Sequence, residues 1–345
     1  MTSRSPRRQA RAAVALIAAL VLACRGSDGP TNPTGRGADP TDPGSGPWAF
    51  RASLIDPALI KQITPLGSLN PPARPLPTDH IYFRFADPSE SPAARRTSFF
   101  APADGIVRDV LTSSTSPDVG LHVRVTTNIT YILGHVIPDI PLARGTRITA
   151  GQRLGTTGSS FDIDLGVVNE GITLPGFVNP ARYPNMGMVH VDAPLKYYDE
   201  PLRSQLYAKV QRLGPDLDGK IDYDIPGRLS GNWFTTDSIP LLFIYDSYDP
   251  ARVVIAVSGG LLRNGIYSIG AADPLPRDVS VASGMVRYTL AGYPGQPGSI
   301  PPVIPSGVPI ARLLVEMLDD ERIRVEMFSV SAIADAFTNA TMFVR

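Results

Sequence analysis

Two short stretches decide the fold class of this chain: LHVRV at Leu121–Val125 and ITYI at Ile129–Ile132. In the first stretch apolar and polar residues alternate, which places the apolar side chains on one face of a β-strand. Similar short stretches occur at Ile81–Phe83 and Gly105–Val107, and Pro, Gly, Asp and Ser separate them, as is typical of turns. The pattern predicts a mainly β protein whose first domain is a sandwich or barrel.

A second block of alternating residues predicts another all-β domain toward the C-terminus. ARLLVEML at Ala311–Leu318 and IRVEMF at Ile323–Phe328 flank the polar turn DDER, which is typical of a β-hairpin. The motif GNW at Gly231–Trp233 resembles the opening strand of lipocalin-like barrels, although a core tryptophan on a first strand explains it as simply. The resemblance implies a barrel-like domain, and such a barrel could carry a small apolar ligand.

Between the two blocks the sequence predicts one short connecting helix. Leu202, Leu206 and Val210 recur at helical spacing after an acidic, proline-containing start. A polar linker follows and ends near residue 228. We therefore divide the folded part of the chain into a first β domain over residues 48–198, a helix and linker over 199–228, and a C-terminal all-β domain over 229–345.

The N-terminus has the order basic, apolar, small residue, cysteine. Arginines precede an apolar run at Ala12–Ala23, which is too short for the roughly 20 residues of a spanning helix. This order resembles a bacterial lipoprotein signal, and the resemblance implies that residues 1–23 are a signal peptide and that Cys24 is lipidated. The alternative is an ordinary cleaved signal peptide with an incidental cysteine. Arg25, rather than an aspartate, after the lipidated position implies the outer membrane, facing the periplasm.

Residues 24–47 contain mainly Gly, Pro, Ser, Thr and Asp. A segment of this composition buries too little apolar surface to offset the entropy lost on ordering. We therefore expect a disordered tether between the lipid anchor and the first folded domain.

Composition excludes several functions. The 32 basic and 32 acidic residues give zero formal charge, so no nucleic-acid partner is expected. Because Cys24 is the single cysteine, the mature fold contains neither an internal disulfide nor a thiolate zinc site. Any metal would be held by carboxylates and by the four histidines.

Four phrases of the first block follow one another in order: PTDH at Pro77–His80, APADGIV at Ala101–Val107, ITY at Ile129–Tyr131, and GQRLGTTG at Gly151–Gly158. Together they resemble the M23/LytM-type metallopeptidase domain, also called the duplicated hybrid motif, over roughly residues 66–170. The resemblance implies a compact β-sandwich in which glycines form tight turns and alternating apolar residues fill the core.

In that family an HxxxD and an HxH motif supply three zinc ligands, and further histidines handle protons at the scissile peptide bond. By resemblance, His80 occupies the first ligand position and His135 that of a proton-handling histidine. The acidic ligand position is Arg84, whose guanidinium has no lone pair for a metal, and Asp162-Ile163-Asp164 stands in place of HxH. The peptidase motifs are therefore not intact.

Three interpretations of these replacements stay open. Asp162 and Asp164 alternate on one strand face opposite His80, so the three could hold a divalent ion. Alternatively Arg84 pairs with Asp162 or Asp164 in a salt bridge that replaces the metal. In the third interpretation the two aspartates lie on a solvated strand end.

We expect an envelope lipoprotein, anchored to the membrane by its lipid, with an inactive peptidase-like domain that binds or scaffolds. Its partner would be peptidoglycan or another envelope protein, and no cofactor is expected. One alternative is a metal-dependent cell-wall hydrolase that uses zinc or another divalent ion held by His80, Asp162 and Asp164, with His135 catalytic. The other is a carrier of small apolar ligands in the C-terminal barrel.

Overall fold

The computed structural model describes residues 43–114, 116–183, 186–295 and 306–345. The predicted signal peptide, Cys24 and the tether up to residue 42 lie outside these ranges. Within the ranges, no helix is both long enough and apolar enough to span a membrane.

In the described part of the chain the first nine strands form one antiparallel sheet: β1 Gln62–Thr64, β2 Ile81–Arg84, β3 Ser98–Phe100, β4 Gly105–Thr112, β5 Val119–Thr126, β6 Ile129–Pro138, β7 Arg147–Ile148, β8 Arg153–Thr157 and β9 Asp162–Asn169. Their order across the sheet is β1-β2-β9-β6-β5-β4-β7, and β8 pairs with both β3 and β6. Because β9 inserts between β2 and β6, residues far apart in sequence become neighbours at this point.

Strands β5 and β6 confirm the strands predicted from alternation. Leu121, Val123 and Val125 are buried, whereas His122 and Arg124 on the opposite face are half-buried. The buried side chains belong to one apolar core with those of β2, β6 and β9. One face of this sheet is thus closed by packing, and the other is available for a site.

The next eight strands form a closed antiparallel barrel: β10 Gly231–Phe234, β11 Pro240–Tyr245, β12 Val253–Val257, β13 Gly265–Ser268, β14 Met285–Gly292, β15 Pro309–Met317, β16 Arg322–Ser329 and β17 Thr341–Val344. Strand β17 pairs with β10, which closes the barrel. The predicted hairpin is confirmed by β15 and β16.

Side chains fill the interior of the barrel. Trp233, Phe243, Tyr288 and Phe343 are fully buried in a single apolar cluster, and the indole N–H of Trp233 donates to the Leu229 carbonyl at 2.8 Å. A cavity of about 480 Å³ lies instead at the surface, beside the β15–β16 turn. These side chains occupy the barrel interior where the structure describes it, and the carrier function stays a prediction.

The predicted connecting helix is α1, Leu202–Tyr207, which ends before Val210. Five short 3₁₀ helices occur in the described ranges: Pro180–Arg182, Met186–His190, Pro194–Tyr197, Pro276–Asp278 and Val281–Ser283. The predicted fold class, mainly β with two sheets and one short helix, is confirmed.

Candidate metal and acid–histidine site

Strands β2, β9 and β6 place the predicted site residues on the open face of the first sheet. Tyr82 pairs with Asp164 across β2 and β9, and Asp164 pairs with Gly134 across β9 and β6. Asp162 and Asp164 lie on the same face because Ile163 between them is buried in the core. The pairing brings three distant parts of the sequence into one cleft.

Two histidines converge on one carboxylate oxygen. The Nε2 atom of His80 lies 3.4 Å from Oδ2 of Asp164, and the Nε2 atom of His135 lies 3.6 Å from the same oxygen. His80 stands at the end of the loop that leads into β2, and His135 stands in β6. Asp164 is therefore the centre of the site.

Each histidine has a second carboxylate near its other nitrogen. Nδ1 of His80 lies 2.7 Å from Oδ1 of Asp79, which is hydrogen-bond distance, and Nδ1 of His135 lies 3.6 Å from Oδ2 of Asp118, which is ion-pair distance only. A carboxylate that accepts from Nδ1, as Asp79 can from His80, orients the ring with Nε2 toward the site. Neither Asp79 nor Asp118 was predicted as a site residue from the sequence. Asp79 could have been found beside His80 in the PTDH phrase, whereas Asp118 has no local signal.

A β-bulge turns His135 toward the cleft. Val119 pairs with Val136 and Leu121 with Leu133, so Gly120 alone faces two residues of β6. The backbone φ of His135 is 58°, in the left-handed region that non-glycine residues rarely adopt. Bulges redirect side chains near functional sites.

Two glycines leave room for the carboxylates. A Cβ atom at Gly134 would lie 2.6 Å from Oδ2 of Asp164, and one at Gly158 would lie 2.4 Å from the Asp118 carboxylate. Neither distance is tolerated between real atoms, so a side chain at either position would displace an acidic group of the site.

Burial shapes the protonation of the cluster. Asp164 is 8 % exposed, its Oδ1 accepts no hydrogen bond, and burial raises its pKa. Burial alone would lower the pKa of His80, but the Asp164 and Asp79 carboxylates outweigh it and raise that pKa. Burial opposes ionisation of Asp79 as well, yet the bond to His80 holds its pKa below the ordinary value.

The Nε2 atoms of His80 and His135 converge on the Asp164 carboxylate, and this arrangement requires a positive charge between them. Two imidazole lone pairs and a carboxylate oxygen repel one another unless a proton or a cation lies between them. The cluster is therefore a binding site for protons or for a metal ion.

The residues fit a divalent metal. His135, Asp162 and Asp164 each offer a ligand atom within 4.8 Å of the others. Ligand atoms around a tetrahedral zinc ion lie about 3.3 Å apart, close to the separations of the two Nε2 atoms from Asp164. Nitrogen and carboxylate oxygen together suit zinc and other first-row divalent ions. The predicted ligand set was His80, Asp162 and Asp164. In the structure His135 takes the place of His80 in the group of neighbouring ligand atoms, and His80 lies against Asp164 instead.

Arg84 lies next to this cluster. It pairs with Asp162 across β2 and β9, and its guanidinium lies over the Phe161 ring, 4.9 Å from the centroid. The salt bridge to Asp162 or Asp164 stays a prediction. The solvated strand end is wrong, because both aspartates are only 8 % exposed.

No protein-family model matches the chain, and no curated protein matches it. Among solved structures the chain is similar to Csd3 of Helicobacter pylori, with 14 % identity over 44 % of this chain and 35 % of Csd3 and a TM-score of 0.30. It is similar to a zinc-containing peptidase from Vibrio cholerae, with 18 % identity, 35 % and 37 % coverage and a TM-score of 0.28.

A third similar structure is a mutant catalytic domain of the prophage-encoded M23 protein EnpA from Enterococcus faecalis. The identity is 21 %, the coverage is 35 % of this chain and 87 % of that domain, and the TM-score is 0.26. The chain spans 35 % and 30 % of the two Csd3 structures, about a third of their length.

Proposed function

We propose that this protein is a metal-dependent hydrolase of the bacterial cell envelope, with a ligand set rearranged from that of LytM-type peptidases. One observation carries the proposal: His80 and His135 direct Nε2 at Asp164, Asp79 lies at hydrogen-bond distance from Nδ1 of His80, and Asp118 lies 3.6 Å from Nδ1 of His135. Carboxylates behind ligating histidines orient the rings and increase their basicity in metal sites.

His135, Asp162 and Asp164, whose ligand atoms lie within 4.8 Å of one another, would hold the cation, which supplies Lewis acidity and an activated water when bound. Asp162 is positioned by Ser160, which donates a hydrogen bond to its Oδ1 at 2.5 Å. His80, whose Nε2 lies 3.4 Å from Oδ2 of Asp164, is then the group best placed to accept a proton from water. The proposed division of labour is thus one histidine and two aspartates for binding, and one histidine for proton transfer.

The proposed location follows from the N-terminal sequence. A signal resembling a lipobox, with lipidation of Cys24, would hold the catalytic domain near the outer membrane, facing the periplasm. Within that space the resemblance to LytM-type domains points to peptide cross-bridges of peptidoglycan as the substrate.

A second candidate, a non-catalytic binding or scaffolding domain, is favoured by Arg84. A guanidinium takes the position of the acidic ligand in the family motif and pairs in register with Asp162. In this candidate a protonated His80 supplies the positive charge that Asp164 requires, and the cleft binds peptidoglycan or an envelope protein without cleaving it.

Metal binding separates the two candidates. We would produce the mature chain from residue 24 with Cys24→Ser, and measure metal content and zinc affinity by calorimetry. His135→Ala should abolish stoichiometric binding. His190→Ala is the matched control, because the Nδ1 atom of His190 lies 2.5 Å from the Ile172 carbonyl oxygen and His190 contacts no residue of the cluster.

Turnover is then tested on purified peptidoglycan with the zinc-loaded protein. Release of cross-bridge fragments by the wild type, lost in His80→Gln with zinc still bound, supports the hydrolase. Zinc binding without release leaves the binding domain as the function. No zinc binding at micromolar concentration contradicts the hydrolase outright.

A further inference from the structure

Arg74 lies beside the cluster. Its guanidinium is 4.9 Å from the centroid of the Tyr82 ring, and it donates a hydrogen bond to the Tyr82 hydroxyl. Its positive charge favours the ionised forms of Asp79 and Asp164, but within the described residues no direct ion pair joins Arg74 to a carboxylate, whereas Arg153 pairs with Asp139 at 2.6 Å. A half-buried guanidinium without a directly bonded carboxylate keeps N–H donors for an anionic ligand.

The loop that carries Arg74 is held rigidly by its own backbone. The Arg74 amide donates to the Asn70 carbonyl at 2.7 Å, and the Asn70 amide donates back at 3.2 Å. Further along, the Gly67 amide donates to the Thr78 carbonyl at 3.0 Å. The loop over residues 67–78 is therefore a small hairpin whose tip presents Arg74.

The C-terminal barrel supports this loop from behind. Leu69 and Leu76 pack against an apolar cluster on the outer surface of β11 and β12, whose members are Tyr223, Leu242, Ile244, Val254 and Ala256. The barrel thus fixes the loop in place. A loop that is already ordered loses less conformational entropy when a ligand binds to it.

Arg74 is connected to the cluster through one hydroxyl. The Tyr82 oxygen accepts from Arg74, and it lies 3.1 Å from Nε2 of His80, to which its own proton can be donated. A guanidinium has five N–H donors in one plane, so further donors face outward for a bidentate contact. A carboxylate bound there would lie beside His80 and Asp164.

We propose that Arg74 is a specificity-determining residue that binds a free carboxylate of a peptide ligand. The inference rests on the proposed function in taking the His80–Asp164–His135 cluster as the reacting centre. A carboxylate on Arg74 directs the neighbouring peptide group toward that centre. The ligand class is therefore peptides with a free carboxylate, either at the C-terminus or on an acidic side chain.

Three peptides of equal length test this inference on the mature chain from residue 24, with Cys24→Ser. The probes are acetyl-dialanine with a free C-terminus, acetyl-dialanine amide, and acetyl-alanyl-glutamyl amide, titrated calorimetrically with and without zinc. The wild type should bind at least one acid roughly tenfold or more tightly than the neutral amide. Whichever acid is preferred identifies the source of the carboxylate.

Substitutions assign the preference to Arg74. Arg74→Gln should remove it, and Arg74→Lys should retain part, because lysine keeps the charge but lacks the planar fork. Tyr82→Phe keeps the guanidinium and should retain the preference. Arg203→Gln is the control, because Arg203 is an exposed partner of Glu200. Thermal melts establish that each variant is folded.

Several results would overturn the inference: equal binding of acids and amide, no binding of either acid at millimolar concentration, or an unchanged preference in folded Arg74→Gln. A loss in Tyr82→Phe as large as in Arg74→Gln would assign the carboxylate to the hydroxyl instead. If the protein prefers an acid peptide but binds no zinc, the inference about Arg74 holds and the proposed hydrolase function fails. If the protein binds zinc but shows no preference for an acid peptide, the inference fails and the hydrolase function stands.

Discussion

Two buried carboxylates differ in their surroundings: Asp164 lies on the sheet, and Asp224 lies just before the barrel. Burial raises the pKa of both. Asp224 accepts from the Asn232 amide at 2.7 Å, the Val178 amide at 3.0 Å and the Tyr183 hydroxyl at 3.2 Å. Asp164 has an oxygen with no donor and another that faces two imidazole nitrogens.

The difference separates an acid that is satisfied within the fold from the acid on which the proposed function depends. The donors around Asp224 are satisfied within the fold, so the carboxylate joins the sheet to the barrel. Asp164 lacks such donors, and a buried anion left in that state destabilises the folded protein unless a proton or cation joins it. Sites that are poorly satisfied by the fold itself are those that bind something else.

The largest expected effect is on the structural side of this comparison. Asp224→Ala would leave two buried amides and a hydroxyl without their acceptor, and should lower the free energy of unfolding by about 3 kcal/mol or more. Urea unfolding of the metal-free protein measures this. A loss below about 1 kcal/mol would contradict the structural role.

Removing the charge of Asp164 should affect zinc affinity strongly and the free energy of unfolding little. Asp164→Asn removes a buried charge with an unbonded oxygen, so the unfolding free energy should stay constant or rise by up to about 1 kcal/mol. Zinc affinity should fall at least roughly a hundredfold, because the shared ligand is lost. A destabilisation as large as that of Asp224→Ala would erase the distinction between the two acids.

A smaller effect is expected from the glycine beneath Asp164. Gly134→Ala places a Cβ atom against Oδ2 of Asp164 and should weaken zinc binding roughly tenfold by moving the carboxylate. Gly120→Ala is the matched control, because its Cβ atom would meet Leu111 at an ordinary 3.5 Å. Equal zinc affinities for the two variants would show that the carboxylate moves freely.

The smallest effect concerns pH. Because the folded state raises the pKa of His80, the folded protein holds this proton more tightly than the unfolded chain does. The stabilisation is complete below the ordinary histidine pKa and is lost as pH rises through the folded value. Thermal melts of the metal-free protein between pH about 5 and about 9 should show this loss relative to His80→Gln. Parallel curves for the two proteins would contradict it.

Local pattern was sufficient for the strands and for part of the site. Alternation in Leu121–Val125 predicts a strand with one buried face, since strand geometry has a period of two. The same period places Asp162 and Asp164 together on β9. The histidine before β2 could be positioned opposite them only through a family resemblance.

Residues whose roles arise from long-range pairing were missed. Asp118 reaches His135 because the bulge in β6 rotates that histidine, and no local sequence pattern specifies where a bulge occurs. Arg74 acquires its place because Leu69 and Leu76 pack on a barrel more than a hundred residues away. Such contacts depend on the assembled fold.

The sequence by itself determined the mainly β architecture, the short helix and the alternation that puts two aspartates on one face, because strand and helix periods are local properties. That two histidines share Asp164, with Asp79 and Asp118 near their other nitrogens, and that the barrel supports the loop of Arg74, depends on the tertiary structure. Strand order and register bring these groups within a few ångströms, where burial raises the pKa of Asp164 and the Asp164 and Asp79 carboxylates raise that of His80 against burial.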